Sequence, residues 1–206
     1  VGLVLREVDV NCCVSQGASP IGPEMVVTAA EENVIQELAS RPALDRLMDA
    51  IAHELSPDEQ ALATQGLLVG IVIDENRPEY DRGDFLVRGL LGVDEGERTI
   101  TVGERVRIGQ TVRLHVRDAA SADMDLRAAL ERTSRELARP AAGALMFTCN
   151  GRGVGMFGEP DHDASAFEDT FGAVAAAGFF CAGEIGPVGP RNFLHGFTAT
   201  MAVFPG

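Results

Sequence analysis

Two stretches near the end of the chain combine residue types that bind polar ligands. Cys149-Asn150-Gly151-Arg152-Gly153 and Cys181-Ala182-Gly183-Glu184 each follow an apolar run directly, and each sets glycine beside a charged side chain. Glycine lets the backbone turn tightly and lets a second group come close, so two such loops at strand ends predict one shared crevice. Arg152 brings a guanidinium that can grip a carboxylate with two prongs, and the loop around it offers backbone N–H groups. Two outcomes stay open for it: a small anionic ligand such as an amino acid, or an internal partner, Glu184 or Asp161. Glu184 could accept from a ligand amine or merely from nearby backbone N–H groups. His195 follows Asn192-Phe193-Leu194 in a final hairpin and is expected near both loops. The expected ligand-binding residues are therefore Cys149, Asn150, Arg152, Gly183, Glu184 and His195, and their chemistry is that of binding.

Other signals are weaker. Gly153-Val154-Gly155-Met156-Phe157-Gly158 spells the glycine pattern of a dinucleotide site, but Glu159-Pro160-Asp161 follows where a helix should open, and the next helix cannot begin until about Asp163. Cys149, His195 and Glu184 could be written as a nucleophile, base and orienting acid. No nucleophile-elbow sequence accompanies them, so the chain is not expected to be an enzyme. His53 falls late in a helix, where a polar tip suits the dipole, and His115 falls on the polar face of a strand, where solvation is expected. His162, in Glu159-Pro160-Asp161-His162-Asp163, reads as part of a polar helix-entry loop more than as a hard-cation site. The four cysteines, Cys12, Cys13, Cys149 and Cys181, show no zinc or haem-attachment spacing and read as buried small hydrophobes in a reducing compartment.

The elements that must position these residues follow from periodicity. Residues 143–204 read strand, glycine loop, helix, strand, glycine loop, strand. Residues 1–10 read as a Val-rich strand and residues 11–23, dense in turn-formers, as a loop. Residues 24–29 and 31–38 read as two strands, although Thr28 and Glu31 have capping-box spacing. A helix is expected from Ser40-Arg41-Pro42, with Leu44, Leu47, Met48, Ile51 and Leu55 inward and Ser56-Pro57 as its stop. Residues 67–73, a continuous apolar run, predict a strand buried on both faces. Strands follow over 85–91, 98–102 and 111–117, then an amphipathic helix over 123–138 with Leu126, Ala129, Leu130 and Leu137 inward, stopped by Pro140. The whole is an α+β (mixed α/β) fold, a mixed and largely antiparallel sheet or sheets flanked by helices, of the layered α/β sandwich kind.

Composition narrows the function further. The chain has 206 residues, 46% of them hydrophobic, enough for a core that needs no staples. Its 17 Lys and Arg against 31 Asp and Glu give a net charge of −14, which repels a phosphate backbone, so no nucleic-acid partner is expected. No apolar run reaches the ~20 residues of a membrane helix. A cytoplasmic location without membrane contact is the expectation.

Five stretches carry a resemblance. VTAAEENVIQELASRPAL, FLVRGLLG, ALMFTCNGRG and GFFCAGEIGP with FLHGFTATMAVF, in that order, resemble the C-terminal FIST domain, with the CNGRG and GEIGP pair the most specific. REVDVNCCVSQGASPIGPEMVV resembles the last strand and exit loop of the companion N-terminal FIST domain. The resemblance implies residues 1–25 as that strand and loop, 26–206 as the C-terminal domain, and the missing remainder of the N-terminal domain as a partner. It also implies a sensory domain of a signal-transduction protein that binds a small ligand, with amino acids proposed. The sequence shows no kinase, cyclase or methyl-accepting segment, so the output partner is either absent or a separate signalling protein, and the latter is the expectation. Some relatives are reported to bind haem and respond to nitric oxide, which makes a haem-binding nitric-oxide sensor with His195 as axial ligand one alternative. A structural or protein-interaction domain without ligand is the other. Phe179-Phe180-Cys181-Ala182 stands where the family leads one to expect a smaller, more polar turn.

Overall fold

A computed structural model describes residues 4–188 and 191–206. In chain order the elements are β1 (Asn11–Gln16), β2 (Ala18–Glu31), β3 (Val34–Leu38), β4 (Arg41–Pro42), α1 (Ala43–His53), α2 (Pro57–Ala63), β5 (Leu67–Val72), β6 (Phe85–Asp94), β7 (Thr99–Val102), β8 (Thr111–Arg117), α3 (Ala119–Glu136), β9 (Ala141–Cys149), α4 (Val154–Phe157), α5 (His162–Phe171), β10 (Ala176–Cys181), β11 (Glu184–Val188), β12 (Arg191–His195) and β13 (Thr198–Pro205). Among the described residues β9 and β10 run parallel and the other strand pairs are antiparallel, so the expected α+β class holds. The chain divides into two compact units, Ala18–Asp118 and Val1–Gly17 with Ala119–Gly206.

The Ala18–Asp118 unit is a closed antiparallel ring, β2-β8-β5-β6-β7-β3, with β3 pairing back onto β2. Closure requires strands that bend and serve two neighbours. β2 pairs with β8 at its start and β3 at its end, with a register shift between Ile21 and Glu24, and β6 passes from β5 to β7 in the same way. The ring encloses Met25, Val27, Ile35, Val69, Ile71, Ile100, Val112 and Leu114, and Ala43, Leu44, Leu47 and Ala50 of α1 join this core. Met48, expected inward, is exposed. Ser56-Pro57, expected only as a stop, begins α2, where Ser56 and Glu59 form a capping box.

His115 overturns its reading. Alternation places it opposite Leu114 and Val116, but that outer face of β8 is covered, and His115 is 0% exposed. Its ring occupies the space above Gly70, where a Cβ would come within 2.2 Å of Cε1, and meets Phe85 edge to face at 4.9 Å. Burial pulls its pKa down to about 4, so the ring is neutral in the fold.

The other unit is layered. Its sheet runs β1-β13-β9-β10, with β10 at one edge. One face presents Cys13, Ala144, Met146, Ala199, Met201 and Val203 to Leu126, Ala129 and Leu130 of α3 and Ala166 and Phe167 of α5. The hairpin β11-β12 lies on the other face, where Gly186 sits so close to Val14 and Thr200 that an added Cβ would come within 2.5 Å of Val14 Cγ2. The strand expected over residues 1–10 is corrected: residues 1–3 lie outside the described residues, and residues 4–10 form no strand. Gly189 and Pro190 also lie outside the described residues. The loop expected over 11–23 is instead β1 and the start of β2, because Pro20, Gly22 and Pro23 fall around a register shift, where a strand tolerates them.

Candidate functional site

The site grows from the carboxyl end of β9. Cys149 ends the strand, residues Asn150–Arg152 make one 3-10 turn, and α4 follows inside the glycine motif. Gly158, with φ of 77°, terminates α4 in the left-handed region that glycine enters freely. The third glycine of the motif thus ends a helix, and α5 opens at His162, one residue before the expected start.

Arg152 is buried, with its side chain 1% exposed. Its Nε and Nη2 donate to the two carboxylate oxygens of Asp163 at 2.8 and 2.9 Å, and its guanidinium carbon lies 5.3 Å from the Phe157 ring centre. The internal partner is therefore Asp163, not Glu184 or Asp161. Asp163 falls in the first turn of α5 facing inward, a position legible only once the helix start is known. The third nitrogen, Nη1, has no hydrogen-bond partner among the described residues.

His162, at the start of α5, belongs to the same cluster. Its ring stacks on Phe157 at 3.5 Å, and its two nitrogens lie 3.0 Å from Asp163 Oδ1 and from Asp123 Oδ1 of α3. Each ring nitrogen therefore has a carboxylate oxygen within hydrogen-bonding distance. Asp123 also takes a bond from Arg127, which reaches on to Asp169. The signal available in the sequence was the Asp161-His162-Asp163 triplet at a helix start.

Glu184 opens β11 rather than sitting in a turn, and is 1% exposed. Its Oε2 accepts from the Thr198 hydroxyl at 2.9 Å and the Thr198 N–H at 3.4 Å, while Oε1 has no hydrogen-bond partner among the described residues. Burial pushes its carboxyl above the ordinary value, against the opposing pull of Thr198 and of the Arg152 charge. Thr198 is aimed by its neighbour: Phe197 is held at φ of 67°, a costly conformation for a bulky residue, and its carbonyl accepts the Gly17 N–H at 2.8 Å. An added Cβ on Gly17 would fall 2.2 Å from that oxygen and 3.0 Å from Arg152 Nη1.

His195 pairs in register with Glu184 and is 3% exposed, with Nε2 3.0 Å from the Gly186 carbonyl. Gly183 lies against Leu194, and Asn150 is exposed on the 3-10 turn. Cys149 accepts the Gly151 N–H through sulfur at 3.5 Å. Of the four cysteines, Cys13 fits the buried reading best, its thiol pushed up to about 11 by burial, while Cys12 is exposed.

A pocket of about 290 Å3 opens beside Arg152 on the helix side of the sheet. Arg152, His162 and Asp163 form its polar wall, and Met146, Gly178 and Phe180 its apolar floor. Of the six expected ligand-binding residues Arg152 alone lines this pocket. Glu184 and His195 stand on the hairpin β11-β12 and are not among the pocket's lining residues. Among the described residues no three His, Cys, Asp or Glu side chains converge as metal ligands would, and no helix is long and apolar enough to cross a membrane.

Comparison with known proteins gives consistent matches. Residues 43–187 match the FIST C domain and residues 1–41 the FIST N domain. An uncharacterized protein of Mycobacterium tuberculosis (strain ATCC 25618 / H37Rv) is 55% identical over 191 residues, 93% of this chain and 50% of the relative. An uncharacterized protein of Mycobacterium bovis is 54% identical over the same length, 49% of that relative. The chain thus spans about half the length of the curated relatives it matches.

Proposed function

This chain belongs to the FIST family, generally sensory domains of signalling proteins, and from that premise we propose that it binds a small amino-acid-like ligand and is not an enzyme. The observation that carries the reading is a pair of buried orphans: Arg152 Nη1, a donor, and Glu184 Oε1, an acceptor, neither with a hydrogen-bond partner among the described residues. A buried polar atom left without a bond is costly, and a ligand offering a carboxylate to the first and an amine to the second would satisfy both. The two side chains are within electrostatic reach of each other. The division at residues 25 and 26, the cytoplasmic location, the output protein and the remainder of the N-terminal FIST domain as partner belong to this proposal.

The residues do not fit the haem alternative. His195 Nε2 is engaged by the Gly186 carbonyl and its ring is almost wholly buried beneath the hairpin, so ligating iron through that nitrogen would require breaking the bond and lifting β11-β12. The interaction-domain alternative draws on one observation, the exposed Phe179, Phe180, Ile185 and Leu194.

The test is a thermal-shift screen of the chain against an amino-acid library. A ligand at 100 times its Kd adds about 2.7 kcal/mol, which at this size is a rise of roughly 5–10 °C. Glu184→Gln, which keeps the shape and removes the acceptor charge, should abolish the shift for an amine-bearing ligand. A library without a hit, or a shift that survives Glu184→Gln unchanged, defeats the reading.

A further inference from the structure

Cys149 and Cys181 stand in a relation that ligand binding does not use. They are register partners in the parallel pair β9-β10, each the last residue of its strand. Paired strands lie roughly 4.8 Å apart, inside the ~4.4–6.8 Å between Cα atoms that a disulfide spans. Register partners point to the same face, and Met146 and Thr148 face the helices, so alternation places both thiols on the hairpin side. There they continue a cross-strand ladder with Phe147 and Phe179, whose rings meet edge to face at 5.4 Å. Partial burial, with Glu184 and Cys149 within electrostatic reach, holds the Cys181 thiol above its ordinary pKa, so its oxidation is slow and the pairing rests on the register geometry.

The two sulfurs are free thiols, each in a contact of its own: Cys181 Sγ points to the Phe179 carbonyl at 3.6 Å and Cys149 Sγ accepts the Gly151 N–H. Both are weak sulfur contacts, so rotation about each χ1 gives up little. Beyond each cysteine the ladder stops and a glycine-containing loop begins, so the strand ends can close the small remaining distance. Cys181 is half-buried and reachable from solvent, Cys149 buried: an attacking thiol and a resolving one.

We propose that Cys149 and Cys181 form a reversible dithiol–disulfide pair oxidised by hydroperoxides. The Cys181 sulfur attacks the peroxide; an S–O bond forms, the O–O bond breaks, and the leaving oxygen takes the thiol proton and departs as water or alcohol. The Cys149 sulfur then attacks the Cys181 sulfur; the S–S bond forms, the S–O bond breaks, and water leaves with the Cys149 proton. The two sulfurs supply the two electrons, and an external dithiol reverses the step by exchange. Arg152 and Glu184 each stand three residues beyond one of these cysteines, so the bridge would tie the two charged loops together.

The experiment is treatment of the chain with hydrogen peroxide, then denaturation, alkylation and peptide mapping. The reduced chain carries four alkylated cysteines. After oxidation two should remain, Cys12 and Cys13, with a Cys149–Cys181 linked peptide that dithiothreitol removes. Cys149→Ser should lose the link and leave Cys181 as a sulfenic acid that a dimedone-type reagent traps, whereas Cys12→Ser should keep it. The bridge should also raise the melting temperature by several degrees. Four alkylated cysteines after peroxide, a link through Cys12, or a sulfenic acid in the wild type that Cys149 never resolves would each overturn the proposal.

Discussion

Removing Asp163 should damage the fold more than removing both Asp163 and Arg152. The pair is buried, with side chains 1% and 7% exposed, and its two bonds are 2.8 and 2.9 Å long. Asp163→Ala leaves a guanidinium in the interior with one nitrogen already unpartnered, and breaking a buried pair in this way costs about 3–5 kcal/mol. At this chain length that is a fall of roughly 6–20 °C in Tm. Arg152→Met with Asp163→Leu replaces the pair by apolar groups of similar bulk, a change that is often neutral or stabilising. The double variant should therefore exceed the single one by at least about 2 kcal/mol, a coupling that only contacting residues show. The chain has no Trp, and its one tyrosine, Tyr80, lies in the Ala18–Asp118 unit, so urea unfolding is best followed by far-ultraviolet circular dichroism. A single variant that costs under about 1 kcal/mol, or a double variant no more stable than the single one, refutes the burial reasoning.

Further predictions concern packing and pH. Gly17→Ala should lower Tm markedly, because its Cβ would meet the Phe197 carbonyl oxygen at 2.2 Å; an unchanged melting curve would show that the turn simply moves. Gly178→Ala should loosen β10, since a Cβ there would fall 1.8 Å from the Met146 carbonyl oxygen, and amide exchange along Ala176–Cys181 reads this directly. Glu184 has a folded pKa above its unfolded value near 4.5, so the unfolded chain ionises first and stability falls as pH rises through the raised pKa. Glu184→Gln should flatten that fall, and equal pH profiles for variant and wild type would dispose of it. His115 has the opposite sign: its pKa drops from 6.5 to about 4 on folding, so the unfolded chain takes up the proton first as pH falls below 6.5. Going from pH 6.5 to 5 should cost about 2 kcal/mol, and His115→Gln should remove that dependence in urea titrations.

Sequence periodicity revealed those parts of the fold whose faces differ in polarity. β5 and α3 are legible because Leu67–Val72 is uniformly apolar and because Leu126, Ala129 and Leu130 recur at helical spacing. His115 was misread for the same reason: alternation says that two faces differ, not that the polar one is wet, and here Gly70 makes room for a buried ring. Ring closure was out of reach because it depends on β2 meeting β3 and β8 at once, a long-range pairing hidden behind Pro20, Gly22 and Pro23. At the site, Arg152 and Glu184 could be named from glycine beside charge. Asp163 and His162 could not, since their roles depend on where α5 begins and on Asp123, distant in sequence.

The edge of the layered sheet has a consequence for handling the chain. Ala176-Ala177-Gly178-Phe179-Phe180-Cys181 carries no charge and no proline, the two devices that keep a terminal strand from recruiting another. Its outer row of amides is a growth front: a second extended segment can add there, and Phe179 and Phe180 reward the addition from both sides of the sheet. Concentrated samples would then thicken with time, in a way that a single lysine at position 179 should arrest.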